Sequence, residues 1–257
     1  MVAFPPCKIN LGLNIIRRRD DGYHDIETCF YPVPWTDILE IIPSNEFSFN
    51  ATGNAIPGNG DDNLCIRAWQ LLKTPPVKIH LHKIIPIGAG LGGGSSDAAW
   101  TLRLLNDAFQ LGLKKEELRH YASQLGSDCA FFIDDIPMMG TGRGEMLRKA
   151  DISLNGKFIV IVKPDVHVST AQAYAGIIPK EGGRTAEQIP IEEWKIHLKN
   201  DFESTVPDKL SLKQRFYDLG ALYASMSGSG SAVYGIFSKR VDYEKVFPGT
   251  ICYSCWL

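Results

Sequence analysis

The chain has 257 residues, of which 44% are hydrophobic and 22% are charged. This balance is typical of a globular protein and excludes a disordered or fibrous chain, while the length allows one large domain or two moderate ones. The 27 basic residues nearly cancel the 29 acidic ones, for a net charge of -2, so no overall charge favours binding to nucleic acid or to an anionic membrane.

The first part of the chain predicts strands around a polar turn. Residues 7–16 alternate polar and apolar side chains, as a half-buried strand does, and residues 17–22 form a polar turn. Strand-like runs follow at 25–33 and 38–42. The segment 43–62 is rich in Pro, Gly and Asn and predicts mostly loops and short edges.

The next segment predicts helices on either side of a strand. Residues 63–73 fit a helix capped by Asp61, Asp62 or Asn63, and residues 77–84 alternate as a strand does. Two further helices are predicted at 98–109 and 115–125.

The last hundred residues predict a second set of elements. The strand 157–162 follows an Asn-Gly turn and could open a second domain, and helices are predicted at 192–199 and 210–219. A glycine-serine loop at 225–231 precedes the strand 232–237. Because strands and helices occur in separate runs, we expect an α+β fold rather than a doubly wound sheet.

The cysteines and the apolar segments predict a cytoplasmic protein. The six cysteines do not form a disulfide framework, so we expect reduced, structural thiols. Cys252 and Cys255 have the spacing of a redox motif, but no helix follows them, and zinc would need a second pair. No segment has the roughly 18 apolar residues of a membrane span, and the first residues lack the layout of a signal peptide.

A glycine-rich loop, residues 86–97, joins the strand 77–84 to the helix 98–109. Five of the seven residues from Gly88 to Gly94 are glycine, which predicts irregular structure, with Ser95 or Ser96 capping the helix. Glycines let a backbone approach an anion closely, and the start of a helix adds N–H groups. The loop therefore predicts an anion site, for which a triphosphate is the commonest ligand.

Three other interpretations of the loop fit less well. Gly88, Gly90 and Gly93 match the dinucleotide-binding fingerprint, but residues 114–118, where an acidic strand end should lie, are helical and charged. The P-loop pattern needs a lysine after Gly94, where serine stands instead. A simple flexible turn needs one or two glycines rather than five.

The loop resembles the phosphate loop of the GHMP kinases, the superfamily of galactokinase, homoserine kinase and mevalonate kinase. Three more segments are similar to the branch that phosphorylates a cytidine-diphosphate-linked methylerythritol: residues 8–13 with 18–24, residues 126–132, and residues 226–232. The four segments occur in the family's order and span most of the chain. The chain departs from the family's usual residues at Cys7, Cys129, Ala130 and Arg143, and its C-terminus is short.

This resemblance implies a two-domain GHMP kinase fold. It has a ribosomal-protein-S5-domain-2-like N-terminal domain, here residues 1–152, and a ferredoxin-like α/β C-terminal domain, here residues 153–257. It also implies transfer of the γ-phosphate of ATP, with Mg²⁺, to the 2-hydroxyl of the cytidylyl substrate, in the non-mevalonate route to isoprenoid precursors. The alternatives are another GHMP kinase, of the homoserine or mevalonate type, or a non-catalytic nucleotide-binding regulator. The partners expected are these small molecules, with no nucleic acid or membrane, for a monomer or homodimer.

The resemblance also assigns catalytic roles. Asp128 is the expected base for the hydroxyl proton, and Lys8 is its electrostatic partner. Each residue has a plainer interpretation, because Asp128 could cap a helix and Lys8 could be a solvated edge-strand lysine.

The substrate side is expected to involve one amide and three rings. Asn10 would hydrogen-bond the substrate, and a neutral His24 offers one donor and one acceptor to the edge of cytosine. Tyr23 would stack on the base, with Tyr174 opposite it. Asn10 could instead be an amide in a turn or at a strand edge, and each of the three rings, taken alone, is more often an ordinary core or surface residue.

The ATP side is expected to involve the loop and one asparagine. The candidate residues are Asn63, Pro86, Ile87, Gly88, Ala89, Gly90, Leu91, Gly92, Gly93, Gly94, Ser95 and Ser96. Asn63 is equally interpretable as a helix cap, and the two serines either reach phosphate or Mg²⁺ or only cap the helix. The turn 228–230 is expected to pack beside the phosphates, with a simple β-turn as the alternative.

Overall fold

The computed structural model describes residues 1–57, 60, 62–165, 170–180, 182–205 and 209–257. Their strands are β1 (Val2–Ala3), β2 (Pro6–Arg18), β3 (His24–Thr36), β4 (Ile38–Pro43), β5 (Ser48–Gly53), β6 (Val77–Lys83), β7 (Met138–Thr141), β8 (Met146–Lys149), β9 (Phe158–Lys163), β10 (Tyr223–Met226), β11 (Val233–Phe237) and β12 (Ile251–Trp256). The helices are α1 (Leu64–Leu72), α2 (Gly93–Ala108), α3 (Lys115–Leu125), α4 (Thr170–Ala175), α5 (Ile191–His197) and α6 (Lys209–Asp218). Two 3-10 helices cover Cys129–Ile133 and Asp201–Thr205. The fold is α+β, as predicted.

The chain divides into two compact units, and neither is continuous in sequence. Unit 1 comprises residues 1–8, 34–87 and 92–136, and unit 2 comprises residues 9–33, 88–91 and 137–257. The chain therefore passes from one unit to the other inside the glycine-rich loop. The simpler division into domains 1–152 and 153–257 stays a prediction.

Unit 1 contains a sheet with the strand order β1-β4-β6-β5, in which only β5 and β6 run parallel among the pairs formed. On β6, the alternate residues Val77, Ile79 and Leu81 are buried and belong to the same apolar cluster as Leu104 and Leu105 of α2. The period of two in the sequence therefore sets which face of the sheet the helices cover.

Unit 2 contains two sheets, with the strand orders β2-β3-β7-β8 and β10-β11-β9-β12. Strand β9 lies between β11 and β12, and its residues Phe158 to Val162 are all at most 3% exposed. A continuous apolar run without alternation is what burial of both faces requires. Phe216 and Phe247, whose rings contact each other, belong to the same buried apolar cluster as Phe158 and Val160.

Most predicted elements exist, and several have different ends. Helix α3 begins and ends at the predicted residues, whereas β2 and β3 are longer than predicted, so that Arg17 and Arg18 belong to a strand rather than to the turn. Strand β5 is a short edge strand, as the prediction of loops and short edges for residues 43–62 allowed. Residues 58, 59 and 61, including the candidate cap Asp61, are outside the described residues.

Helix α2 corrects two expectations. It begins at Gly93 instead of residue 98, so Gly93 and Gly94 are helical, and the idea that the glycine run excludes regular structure was wrong. Its N-cap is Gly92, with φ of 70°, so Ser95 and Ser96 lie inside the first turn and do not cap it. The intrinsic cost of glycine in a helix is about 1 kcal/mol per residue, which tertiary contacts of this segment outweigh.

Two further expectations concern the cysteines and the membrane. All six cysteines lie in described segments, and no disulfide joins any of them. Among the described residues, no helix combines the length and the apolar character needed to cross a membrane.

Leu105 tests the core of unit 1, because its side chain is fully buried whereas that of Leu111 is 39% exposed. Leu105→Ala is expected to lower the free energy of unfolding by about 2–5 kcal/mol, since a cavity is left in a packed cluster. The matched control Leu111→Ala is expected to change it by no more than about 0.5 kcal/mol. Urea unfolding followed by circular dichroism measures both, and equal losses would contradict the packing described here.

Candidate active site

Lys8 and Asp128, the two expected catalytic residues, lie together in unit 1. The Nζ of Lys8, whose side chain is 3% exposed, is 3.4 Å from Oδ2 of Asp128, which is 32% exposed. Asp128 stands at the N-cap position of the 3-10 helix Cys129–Ile133, but its side chain makes no capping hydrogen bond. The carboxylate therefore faces a buried ammonium group instead of the helix, which opposes its interpretation as a cap.

Gly92 brings the start of α2 against Lys8. A Cβ on Gly92 would lie 3.0 Å from Cζ of Phe132 and 3.2 Å from Cε of Lys8. The first helical hydrogen bond is donated by the N–H of Ser96 to the Gly92 carbonyl, at 2.9 Å. The N–H groups of the three residues between them have no acceptor within the helix, and such groups bind anions.

The two serines of the loop have different surroundings. Ser96 is fully buried, and its Oγ has no hydrogen-bond partner in the part of the chain that the structure describes. Ser95 is partly buried and interacts with Cys129, whose pKa burial raises to about 12. Cys129 is therefore a neutral thiol at neutral pH and not a nucleophile. The orphaned oxygen of Ser96 is of the kind that Mg²⁺ prefers.

Beneath the first residue of α2 lies a buried charged cluster that the sequence analysis missed. Lys83, which is 4% exposed, donates hydrogen bonds to Oδ2 of Asp37 and, at 2.7 Å, to Oδ2 of Asp97. Burial raises the pKa of Asp97 to about 7 although Lys83 opposes this shift. Burial also opposes the charge on Lys83, but the carboxylates of Asp97 and Asp37 outweigh it and raise the pKa of the lysine.

The alternation of β6 contained a signal for this cluster. Residues 77, 79 and 81 are apolar and face the core, and Lys83 is the next residue of the same face. A lysine on a buried face needs a partner of opposite charge. Lys83 therefore requires acidic partners, which in the structure are Asp37 and Asp97.

The residues 88–91 of the loop belong to unit 2 and pack against a second glycine-serine turn. Gly90 has φ of 76°, and a Cβ there would lie 2.0 Å from the carbonyl oxygen of Ser227. Ser227 Oγ donates a hydrogen bond to the carbonyl of Gly90 at 2.8 Å, and the N–H of Ala232 donates one to the carbonyl of Ala89 at 3.0 Å. The turn 228–230 therefore begins directly after Ser227, which contacts residues 88–91 of the loop. Of the other candidates before Gly90, Pro86 is buried, Ile87 is partly buried and Gly88 is exposed.

Two buried polar residues support that turn. Asn200 Nδ2 donates to the carbonyls of Met226 and Gly228, both at 2.8 Å. Glu203 accepts from the Ser225 hydroxyl at 3.0 Å and from the Met226 N–H at 2.9 Å. Neither residue was among the candidates, because an isolated asparagine or glutamate has no pattern that predicts such contacts.

Asn10, expected to bind the substrate, is 1% exposed in unit 2. Its side-chain Nδ2 donates to Oγ1 of Thr28 at 3.0 Å, and its backbone carbonyl accepts from the hydroxyl of Tyr234 at 2.7 Å. The side chain is therefore held in place by the neighbouring strand. Its contact with the substrate stays a prediction.

Two of the three rings expected around the cytosine contact each other, and the position of Tyr174 opposite Tyr23 across the base stays a prediction. Tyr174 stacks on His24, with centroids 4.9 Å apart and an interplanar angle of 22°. Tyr23 is 56% exposed, and the guanidinium of Arg143, a departure from the family pattern, lies 5.0 Å from its ring centroid. Burial, with a smaller effect of Arg18, lowers the pKa of His24, so its ring is neutral at neutral pH. The residue Ser169 of the Tyr174 segment lies outside the described residues.

Asn63 is the N-cap of α1. Its side chain oxygen accepts a hydrogen bond from the N–H of Cys65 at 2.9 Å. The interpretation as a cap is therefore correct, and a contact between its amide N–H groups and adenine stays a prediction.

Comparison with known families defines the class of the protein. The model of the GHMP kinases N terminal domain matches residues 63–143, and that of the GHMP kinases C terminal domain matches residues 196–247. The first match includes α2 and Asp128, and the second includes Asn200 and the turn 228–230. The fold and its site are therefore those of a GHMP kinase with both of its domains.

Individual relatives narrow this class. A Cytophaga hutchinsonii protein named 4-diphosphocytidyl-2-C-methyl-D-erythritol kinase is 49% identical over 254 residues, which cover 94% of each chain. A Bacteroides fragilis protein of the same name is 46% identical over 270 aligned positions, covering 99% of this chain and 98% of its own. The crystal structure of a 4-(cytidine 5'-diphospho)-2C-methyl-D-erythritol kinase matches with a TM-score of 0.77 and 31% identity, over 92% of this chain and 90% of its own. The chain belongs to the 4-diphosphocytidyl-2-C-methyl-D-erythritol kinase family.

Asn63 offers a test that separates its two interpretations. Asn63→Asp keeps the oxygen that caps α1 but loses the N–H donors, so we expect near wild-type thermal stability and a KM for ATP about five- to tenfold higher, the value of one hydrogen bond. Asn63→Ala should in addition lose about 1 kcal/mol of stability with the cap. Steady-state kinetics and thermal melts measure both quantities. An aspartate variant with unchanged KM for ATP would leave Asn63 as a cap alone.

Proposed function

We propose that this chain transfers the γ-phosphate of ATP to the 2-hydroxyl of 4-diphosphocytidyl-2-C-methyl-D-erythritol, a step in the non-mevalonate synthesis of isoprenoid precursors. The observation that carries the proposal is the Lys8–Asp128 pair, 3.4 Å apart, next to Gly92 at the start of α2. We further propose a cytoplasmic enzyme that works as a monomer or homodimer, as the cysteine spacing and the family resemblance imply.

Asp128 is the proposed base. Its carboxylate is one-third exposed, so an alcohol can approach it, and its orientation is set by Lys8 rather than by a helical cap. The carboxylate takes the hydroxyl proton as the oxygen bonds to the γ-phosphorus, and the bond from that phosphorus to the β–γ bridging oxygen breaks, leaving ADP. Such reactions depend mainly on positioning and on charge stabilisation.

Lys8 and the first turn of α2 are the proposed phosphate-binding groups. The ammonium of Lys8 is a fixed positive charge in a water-poor position, where it stabilises negative charge on the group in transfer more strongly than in water. The N–H groups of Gly93, Gly94 and Ser95 point out of the helix end and are suited to phosphate oxygens.

The family implies Mg²⁺ with ATP, and the residues present fit it. The buried Ser96 hydroxyl has no partner among the described residues and would be an oxygen ligand of the ion. When bound, Mg²⁺ neutralises charge on the β- and γ-phosphates. This chain's residues bind and orient the nucleotide and accept the proton.

The cytidine end of the substrate is assigned to the rings of unit 2. His24 is neutral because burial lowers its pKa, so it has one donor and one acceptor for the edge of cytosine. Tyr23 has an exposed face for stacking, whereas Tyr174 contacts His24 and would support that ring from behind. Asn10, held by Thr28, is the proposed contact to the rest of the substrate.

The alternatives predict different residues. A homoserine or mevalonate kinase has no need for a cytosine site, which Tyr23 and His24 would provide. A non-catalytic regulator has no chemical need for the paired Lys8 and Asp128. ATP turnover with the cytidylyl substrate, compared with homoserine and mevalonate, separates all three functions.

Asp128→Asn tests the base. The amide keeps the shape of the side chain but cannot take a proton, so kcat should fall by about 10²–10⁴-fold while the KM for ATP changes little, because the phosphates are bound elsewhere. Asp107→Asn, at an exposed position of α2, is the matched control and should behave as wild type. A near wild-type kcat for the Asp128 variant would reject its role as the base.

The cytidine site is tested with a uridine analogue of the substrate. Uracil reverses the donor and acceptor of cytosine, and each buried polar group left unpaired costs about 1–3 kcal/mol, so kcat/KM should fall at least about tenfold. His24→Ala should lose most of this preference. Tyr23→Ala should lower kcat/KM for the cytidine and uridine compounds alike, since stacking does not distinguish the edges of the two bases. Equal kcat/KM for the two compounds in the wild-type enzyme would argue against the assignment of His24.

A further inference from the structure

The strongest feature outside the proposed catalytic pair is the buried cluster of Lys83, Asp37 and Asp97 in unit 1. All three side chains are at most 4% exposed, and the lysine donates to both carboxylates. A charge is buried in a protein only with a partner of opposite charge, because a buried charge without one costs much free energy. The cluster connects two segments far apart in sequence with the end of the strand that leads into the glycine-rich loop.

Asp37 anchors the end of β6. Its Oδ1 accepts hydrogen bonds from the N–H groups of Ile84 and, at 2.8 Å, Ile85, the residues directly after the strand. Its Oδ2 accepts from Lys83. One carboxylate thus fixes the backbone at the entrance to the loop.

Asp97 connects this anchor to α2. It lies in the second turn of the helix, and Lys83 reaches it at 2.7 Å. A Cβ on Gly93, the first residue of the helix, would lie 2.8 Å from Nζ of Lys83 and 3.0 Å from Cγ2 of Ile85. The ammonium group therefore lies directly beneath the helix start, between the strand end and the helix.

We propose that Lys83 is a positioning residue for ATP: by bridging Asp37 and Asp97 it holds the start of α2 against the end of β6, and thereby fixes the N–H groups that receive phosphate. This inference rests on the proposed function, in which the first turn of α2 binds the phosphates. Lys83 itself is covered by Gly93 and acts through the backbone rather than by contact with ATP. The Oδ1 of Asp97 and the Oγ of Ser96 lack partners in the described part of the chain, so two buried oxygens, one within this cluster and one next to it in sequence, have hydrogen-bonding capacity left.

The test compares Lys83→Met with Lys78→Met, an exposed position on the opposite face of the same strand. At metal sites, loss of a residue that orients a ligand from the outer shell typically weakens binding by about 10–100-fold, and we take the lower end of that range for Lys83. We therefore expect the Kd for ATP of the Lys83 variant, measured by calorimetry, to rise by about tenfold or more, with kcat at saturating ATP and the KM for the cytidylyl substrate within about threefold of wild type. Amide hydrogen exchange should accelerate in the peptide covering residues 86–97. The Lys78 variant should match wild type in every measurement.

A second pair of variants keeps the proposal testable if Lys83→Met does not fold. Asp97→Asn retains an oxygen that can accept from Lys83 and should keep ATP affinity within about threefold, whereas Asp97→Ala should lose about tenfold. A purely structural role would lower the melting temperature of the folded variants but leave Kd and exchange in residues 86–97 unchanged, and that result would overturn the proposal. If the wild-type protein itself fails to bind ATP, the proposed function fails instead.

Discussion

A buried ammonium group needs a carboxylate partner, and this requirement organises the start of α2. Lys8 and Lys83 are 3% and 4% exposed, and each is paired with aspartate. The two lysines lie against two consecutive residues at the start of α2. A Cβ on Gly92 would be 3.2 Å from Cε of Lys8, and a Cβ on Gly93 would be 2.8 Å from Nζ of Lys83. Removing one partner of an ion pair whose charges are all buried strongly destabilises the fold, so the cluster of Lys83, Asp37 and Asp97 constrains where the helix can begin.

The consecutive glycines of the loop have separate physical reasons. Gly92 has a φ of 70° as well as crowding by Lys8 and Phe132, so both its conformation and its surroundings favour glycine. Gly93 has an ordinary backbone conformation, and only crowding excludes a side chain there. Gly94 has neither constraint, because, apart from its own chain neighbours and helix backbone, no described residue comes within 4 Å of a Cβ built on it. A glycine at position 94 is explained if an anion approaches the backbone closely there, since a side chain would be in its way. This explanation agrees with the proposed phosphate site.

The parts of the fold that depend on local pattern could be predicted from the sequence. Strand β6 follows strict alternation, and α3 has a clear helical period, so both were located closely. The short strands β7, β8 and β10 have four residues each, which is too few for a pattern to be detected, and they exist because neighbouring strands pair with them. The start of α2 was misplaced because glycine has a low helix propensity, which contacts with distant residues override.

The same distinction applies to the candidate site. The resemblance to a family supplied Lys8 and Asp128, and the structure adds that Asp128 does not cap its helix, which no sequence pattern could decide. The stacking of Tyr174 on His24 and the approach of Arg143 to Tyr23 depend on side-chain orientations in the folded chain. Periodicity gives the face on which a residue lies, but not which polar partner it meets there.

The two halves of the glycine-rich loop are supported by buried polar groups, each within its own unit. In unit 1 the support is Lys83 with its two aspartates, beneath Gly93. In unit 2 it is Asn200 and Glu203, which bind the backbone on either side of Ser227, the residue in contact with Gly90. Apolar packing alone tolerates small shifts, whereas a buried hydrogen bond or ion pair is lost when its atoms move apart, and its groups are then left unpaired. A loop whose backbone must meet a phosphate at hydrogen-bond distance is therefore better held by such directional contacts than by apolar packing.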